Sequence, residues 1–158
     1  MSAAFLVRPW READTEELGE LFRKSVREIA GRDYRPAQIE AWVKAPGAIH
    51  TWTERMQERV IFVAEQRQSL IGFIQYEPPD HIDMTYVHPQ SQRIGVASAL
   101  LAAVETDARR RGVMLLNVEA SITSRPFFQA RGFEIITPQI VTALGEDFLN
   151  YRMSKQLT

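Results

Sequence analysis

The period of the apolar residues changes along this chain, and those changes limit the folds open to it. Through the first third they recur at helical spacing: Leu18, Leu21, Phe22, Val26, Ile29 and Ala30 form one stripe, and Ile39, Trp42 and Val43 a second. From Val60 the pattern is that of strands, in Val60–Glu65, Leu70–Tyr76 and Ile82–Val87. Helical spacing returns with Val96, Ala97, Leu100, Leu101, Val104 and Ala108, and further strands follow. An all-helical protein is excluded. The order βαα, β meander, α, β, α and then strands predicts an α/β fold built on a mixed sheet.

The punctuation agrees with that order. Phe5–Arg8 reads as a first strand, and Asp14 and Thr15 supply N-cap chemistry for a helix that Gly31 stops. Pro36 opens a second helix; Pro46–Glu58 is ambiguous, with Ile49, Trp52 and Met56 as its buried residues. Gln66–Ser69 reads as a hairpin turn. Arg109, Arg110 and Arg111 crowd the end of the later helix, where cations suit the helix dipole, and Gly112 ends it. Val113–Ala120 is the next strand. Ser124 and Pro126 then open a short helix that Gly132 ends, and Phe133–Thr137, Ile140–Leu144 and Phe148–Met153 read as three closing strands, the last two joined at Gly145. No repeat or flexible linker interrupts the 158 residues, so a single domain over 1–158 is expected.

Composition removes several functions. With 19 Lys and Arg against 20 Asp and Glu the formal charge is −1, which argues against a general nucleic-acid binder. No cysteine is present, so there is no disulfide framework, thiolate zinc site or cysteine nucleophile. No apolar run nears the roughly 18 residues of a membrane span, and Met1–Arg8 lacks the pattern of a secretory signal. A cytoplasmic protein without membrane or nucleic-acid partners is expected. His50, His81 and His88 lack metal-ligand spacing, so no metal is expected.

One segment carries chemistry: Tyr86-Val87-His88-Pro89-Gln90-Ser91-Gln92-Arg93-Ile94-Gly95-Val96-Ala97-Ser98-Ala99-Leu100-Leu101. A strand stops, a polar turn follows, and a helix begins. The first amides of that helix have no intrahelical partner and sit at the positive end of its dipole. Gly95 and Ala97 keep bulk away from them, which makes a cradle for a diphosphate or other anion. The plainer alternative is that both are tight-turn and close-packing residues. The segment lacks the Lys-Ser/Thr ending of a P-loop and the glycines of a dinucleotide-binding turn.

Gln92-x-x-Gly95-x-Ala97 resembles the acyl-CoA-binding motif of the GNAT N-acetyltransferase superfamily, and Phe127-Phe128-Gln129-Ala130-Arg131-Gly132-Phe133 is similar to its downstream aromatic-aromatic-x-x-x-Gly-Phe element. Both occur in the family's order, and the resemblance spans about Phe5 to Lys155. The Ala41-Trp42 pair and Asn150-Tyr151-Arg152-Met153 are similar to the YafP-like branch. The resemblance implies a single GNAT-like domain, with a central, twisted, mostly antiparallel sheet, splayed parallel strands and flanking helices. It implies acetyl-CoA as co-substrate. The backbone at Tyr86 and Val87 would pair with the pantetheine arm, and Gln92, Arg93, Ile94, Gly95, Val96, Ala97 and Ser98 would form the pyrophosphate cradle. Arg93 would contact a CoA phosphate, Phe127 and Phe128 would wall the acetyl end, and the hydroxyl of Ser121 would reach the pantetheine or simply end its strand.

The resemblance also locates candidate catalysts. The family's base is often a Glu six residues before the strand's last apolar residue, which here lands on His81. Asp83 would share its face by strand alternation. Both could equally be solvated residues after the Pro78-Pro79 turn. The usual acid, a Tyr four residues before the Gly of the second element, is replaced by Phe128. Tyr86, Tyr151 or Tyr34 could substitute, or solvent could protonate the thiolate. Trp42 and Trp52 read as core or interface aromatics in the region that builds the family's acceptor site.

The reading is an acetyl-CoA-dependent N-acetyltransferase that transfers acetyl to a primary amine by direct attack, with a small-molecule amine as partner and a homodimer left open. The alternatives are a non-catalytic acyl-CoA-binding or regulatory module, favoured by Phe128, and an acetyltransferase of protein N-termini or lysines.

Overall fold

The computed structural model describes residues 4–47 and 49–158; the side chains of Ile49 and His50 are outside that description. The strands are β1 (Leu6–Pro9), β2 (Val60–Gln66), β3 (Ser69–Glu77), β4 (His81–Val87), β5 (Leu115–Ser121), β6 (Glu134–Ala143) and β7 (Glu146–Gln156). The helices are α1 (Thr15–Glu28), α2 (Pro36–Lys44), α3 (Ile49–Gln57), α4 (Val96–Arg110) and α5 (Arg125–Ala130). One mixed sheet runs β1-β2-β3-β4-β5-β7-β6, and every neighbouring pair is antiparallel except β4 with β5.

Each face of the sheet buries its own core. Leu100, Leu101 and Val104 of α4 pack with Ile74, Tyr76, Leu116 and Phe128 on one side. On the other, Leu18 and Phe22 of α1 and Trp52 and Met56 of α3 pack on Phe73 and Met84. Each such side chain contributes roughly 1.5–3 kcal/mol by leaving water. Gly72 of β3 sets the approach of α4, because a Cβ there would lie 2.7 Å from Val96 Cγ1.

The structure corrects some local expectations. The ambiguous stretch contains α3, with Trp52 and Met56 buried one turn apart. Asp14 does not cap α1 through its side chain; Arg8 and the Arg11 amide occupy its carboxylate. α1 ends at Glu28, and a tighter turn carries the chain through Gly31. Phe133–Thr137 and Ile140–Leu144 are not two strands: β6 is continuous through Pro138. It is the sheet's edge strand, so a residue without an N–H costs no ladder bond on the open side.

Candidate active site

The single parallel pairing is also the shortest. β4 and β5 are in register only at His81 with Asn117 and Ile82 with Val118, and beyond that they diverge. The Tyr86 carbonyl faces Gly72 on β3, so ladder alternation turns the N–H and C=O of Val87 toward the gap. A cleft of about 670 Å³ occupies this gap and continues to the start of α4.

The cradle forms at that helix start. Ala99 N–H is bonded to the Gly95 carbonyl, 3.0 Å away, and the amides of Val96, Ala97 and Ser98 precede it without intrahelical acceptors. Gly95 holds φ +89, and a Cβ there would meet open space, so the backbone is bare toward the cleft. Gln92, Arg93, Gly95, Val96, Ala97 and Ser98 line the cleft, whereas Ile94 does not and is exposed. The residues fit an anionic diphosphate. Arg131 strengthens that fit: its guanidinium donates to Ser98 Oγ at 2.5 and 3.1 Å and lies over Phe127. Its position before Gly132, inside the second motif, was the available signal for it.

The walls near the open end differ in role. Phe127 and Phe128 both line the cleft, but Phe128 is 1% exposed and packs against Phe133 in the core. The Ser121 hydroxyl donates to Ser124 Oγ and accepts from the Ser124 amide, which organises the turn into α5.

A second cavity, of about 230 Å³, opens on the α2 side of the sheet between β5, β6 and β7. Trp42, Tyr86, Glu119 and Ser121 line both cavities and mark their junction. The Tyr86 hydroxyl accepts from Trp42 Nε1 at 3.1 Å, and burial pushes its pKa well above the ordinary tyrosine value, so it holds its proton. Tyr34 also lines the second cavity, but its hydroxyl is engaged, donating to the Leu149 carbonyl and accepting from the Ile122 amide. Tyr151 is beneath the Arg125 guanidinium and lines neither cavity.

The candidate bases separate. His81 is outside the cleft lining, at the closed end of the gap, with Nε2 2.5 Å from Glu119 Oε2 and Nδ1 3.4 Å from Glu77 Oε2. Burial lowers its pKa, but the hydrogen bonds and charges of Glu119 and Glu77 outweigh that and leave it raised. Asp83 does line the cleft, with its carboxylate 3.1 Å from Arg55 and 3.7 Å from Arg59. The alternation argument fails at Asp83, since Gln75 pairs with Met84 and Tyr76 with Ile82, leaving Asp83 as the extra residue of a bulge. A chain of ion pairs through Glu77 and Arg59 links it to His81 instead.

Glu119 is the residue that the sequence reasoning missed. The alternation of Leu116, Val118 and Ala120 with Asn117, Glu119 and Ser121 assigns it a face, but only the fold brings that face to His81 and to both cavities. Among the described residues, no group of three or more His, Cys, Asp or Glu could hold a metal ion, and no helix is long and apolar enough to cross a membrane.

Comparison with known proteins gives this arrangement a family. The acetyltransferase (GNAT) domain model matches residues 30–155. The uncharacterised N-acetyltransferase YafP of Escherichia coli (strain K12) is 33% identical over 147 residues, 93% of each chain, in keeping with the YafP-like resemblance at Ala41-Trp42 and Asn150–Met153. A GCN5-related N-acetyltransferase from Rhodopseudomonas palustris has a crystal structure similar at a TM-score of 0.94 and 32% identity, over 99% of this chain and 98% of that one. The PaiA N-acetyltransferase of Thermoplasma acidophilum, solved in complex with coenzyme A, shares the fold at a TM-score of 0.79 and 19% identity, over 97% and 99% of the two chains. With motif, splayed strands and cradle in one cleft, the chain belongs to the GNAT acetyltransferase family.

Proposed function

We propose that the protein is an acetyl-CoA-dependent N-acetyltransferase that acylates a primary amine by direct attack on the thioester. The observation that carries this reading is the junction: Trp42, Tyr86, Glu119 and Ser121 line both the cleft that holds the anion cradle and a separate cavity suited to an acceptor. Two substrates entering from the two sides meet there, and alignment of reacting groups is the main source of acceleration in such a transfer.

Acetyl-CoA supplies the activated acetyl group. The amides of Val96, Ala97 and Ser98, with Arg93 and Arg131, hold its pyrophosphate end. Val87 offers its main-chain N–H and C=O to the pantetheine arm and its N–H to the thioester carbonyl, where negative charge develops. Glu119 takes the proton of the substrate ammonium, and His81 behind it holds that carboxylate in place. The freed amine attacks the carbonyl carbon; the C–N bond forms, the C–S bond breaks, and the amide nitrogen loses its second proton to solvent. Tyr86 donates a hydrogen bond to the departing thiolate.

Phe128 motivated the non-catalytic alternative, yet its ring belongs to the core, and Tyr86 brings a hydroxyl to the junction in its place. The test is two measurements on one preparation. Acetyl-CoA at 1,000 times its Kd should stabilise the fold by about 4 kcal/mol. A panel of primary amines should give thiol release. No stabilisation at millimolar acetyl-CoA sinks the reading, and stabilisation without turnover of any amine favours the module.

A further inference from the structure

The second cavity is specific about its occupant. Tyr34, Trp42 and Phe148 meet with ring centroids 5.4 to 6.1 Å apart, and Val141 and Ala143 complete an apolar wall. Its polar atoms are nearly all spent inside the protein. The Tyr34 hydroxyl both donates and accepts, Trp42 Nε1 donates to Tyr86, and the Ser121 hydroxyl is bonded to Ser124. Two unpartnered groups remain among the described residues, and both are acceptors: Glu119 Oε1 and the buried Asn150 Oδ1.

We infer that the acceptor is a small monoamine with an aromatic or apolar body, its ammonium against Glu119 and Asn150 and its body within the rings of Tyr34, Trp42 and Phe148. This rests on the acetyltransferase reading above. An ammonium has only donors to offer, which matches a site whose free groups only accept. The ring faces add cation–π attraction at the mouth and apolar burial beyond it. At about 230 Å³ the cavity is below the roughly 300 Å³ where drug-sized sites begin, so the acceptor is small. A polyamine or aminoglycoside would bury further ammonium groups with one carboxylate to share, a heavy desolvation cost. A peptide would bury amides against walls that offer no partner for its N–H groups beyond Glu119 and Asn150.

The experiment compares 2-phenylethylamine, spermidine and an alanine-starting peptide as acceptors for the full chain with acetyl-CoA, read as kcat/KM from thiol release. Thermal stabilisation by acetyl-CoA is measured in parallel. The expected result is a kcat/KM for 2-phenylethylamine at least about tenfold above those for the other two, the scale of one well-filled apolar pocket. Val141→Asp, at an exposed position on the cavity wall, should lower the preference for 2-phenylethylamine over cadaverine by a similar factor; a ratio of rates is insensitive to partial unfolding. If acetyl-CoA binds but spermidine or the peptide is the better acceptor, or none is acetylated, or Val141→Asp leaves the ratio unchanged, the inference is overturned while the cofactor reading stands. Absence of acetyl-CoA binding overturns both.

Discussion

His81 Nε2 lies 2.5 Å from Glu119 Oε2, while Glu77 approaches the other ring nitrogen, so an imidazole is held between two carboxylates at the closed end of the β4–β5 gap. Glu119 alone of the three lines the cavities. While His81 is protonated, its N–H ties up the carboxylate that must accept the substrate's proton. Since His81 is raised above the ordinary 6.5, kcat/KM should rise with pH through an apparent pKa above that value. Glu119→Gln should lower kcat about 100-fold with little change in KM for acetyl-CoA. His81→Gln should displace the pH profile rather than abolish the rate. A profile that is unchanged in both variants would remove the pair from the mechanism.

The same pair has a signature in stability. A histidine whose folded pKa is raised contributes stability that is fully present below its unfolded pKa near 6.5 and is lost as pH rises through the folded value. Glu119→Gln should therefore destabilise the protein more at pH 6 than at pH 9. The difference should stay below about 1 kcal/mol, because solvent screens a pair this open. Urea melts at the two pH values measure it, and an equal loss at both would contradict the assignment.

Replacing Gly95 tests the cradle. At φ +89 an L side chain costs about 1–2 kcal/mol, and its Cβ would project into the open space in front of the amides. Gly95→Val should raise KM for acetyl-CoA at least about tenfold, more than its effect on the melting temperature would suggest. Isothermal titration with coenzyme A separates binding from folding.

Gly72 governs how closely α4 approaches the sheet. Gly72→Ala drives a Cβ to 2.7 Å from Val96 Cγ1 and 3.2 Å from the Tyr86 carbonyl, overpacking worth about 1–3 kcal/mol. Adding Val96→Ala should recover part of that loss, since it removes the nearest atom. Non-additivity in this double-mutant cycle is the expected outcome, and strict additivity would mean that the two sites do not touch.

What was legible in the sequence was what is local. Gln92 to Ala97 form a cradle from contiguous residues, so the strand, the turn and the helix start could be read together. Gly112 and Gly132 end α4 and α5 as expected, at φ +76 and +95. What escaped depends on partners remote in sequence. Glu119 becomes a candidate base only because β5 is parallel to β4 and brings it to His81. The Asp83 bulge arises from the count of residues opposite it on β3. Pro138 reads as a strand break unless β6 is known to be an edge. α3 was obscured because its buried Trp52 and Met56 have little apolar company within their own segment.

The two-residue pairing of β4 with β5 has a mechanical consequence. It works as a hinge pin between two rigid leaves, β1-β2-β3-β4 and β5-β7-β6, fixed at His81 and Asn117 and free at Val87 and Ser121. A small rotation about the pin barely moves the imidazole and carboxylate beside it, yet it changes the spacing at the far end, where the ligand's main-chain contacts are made. A ligand lying along the gap locks the leaves at one angle, so the jaw is set by what it holds.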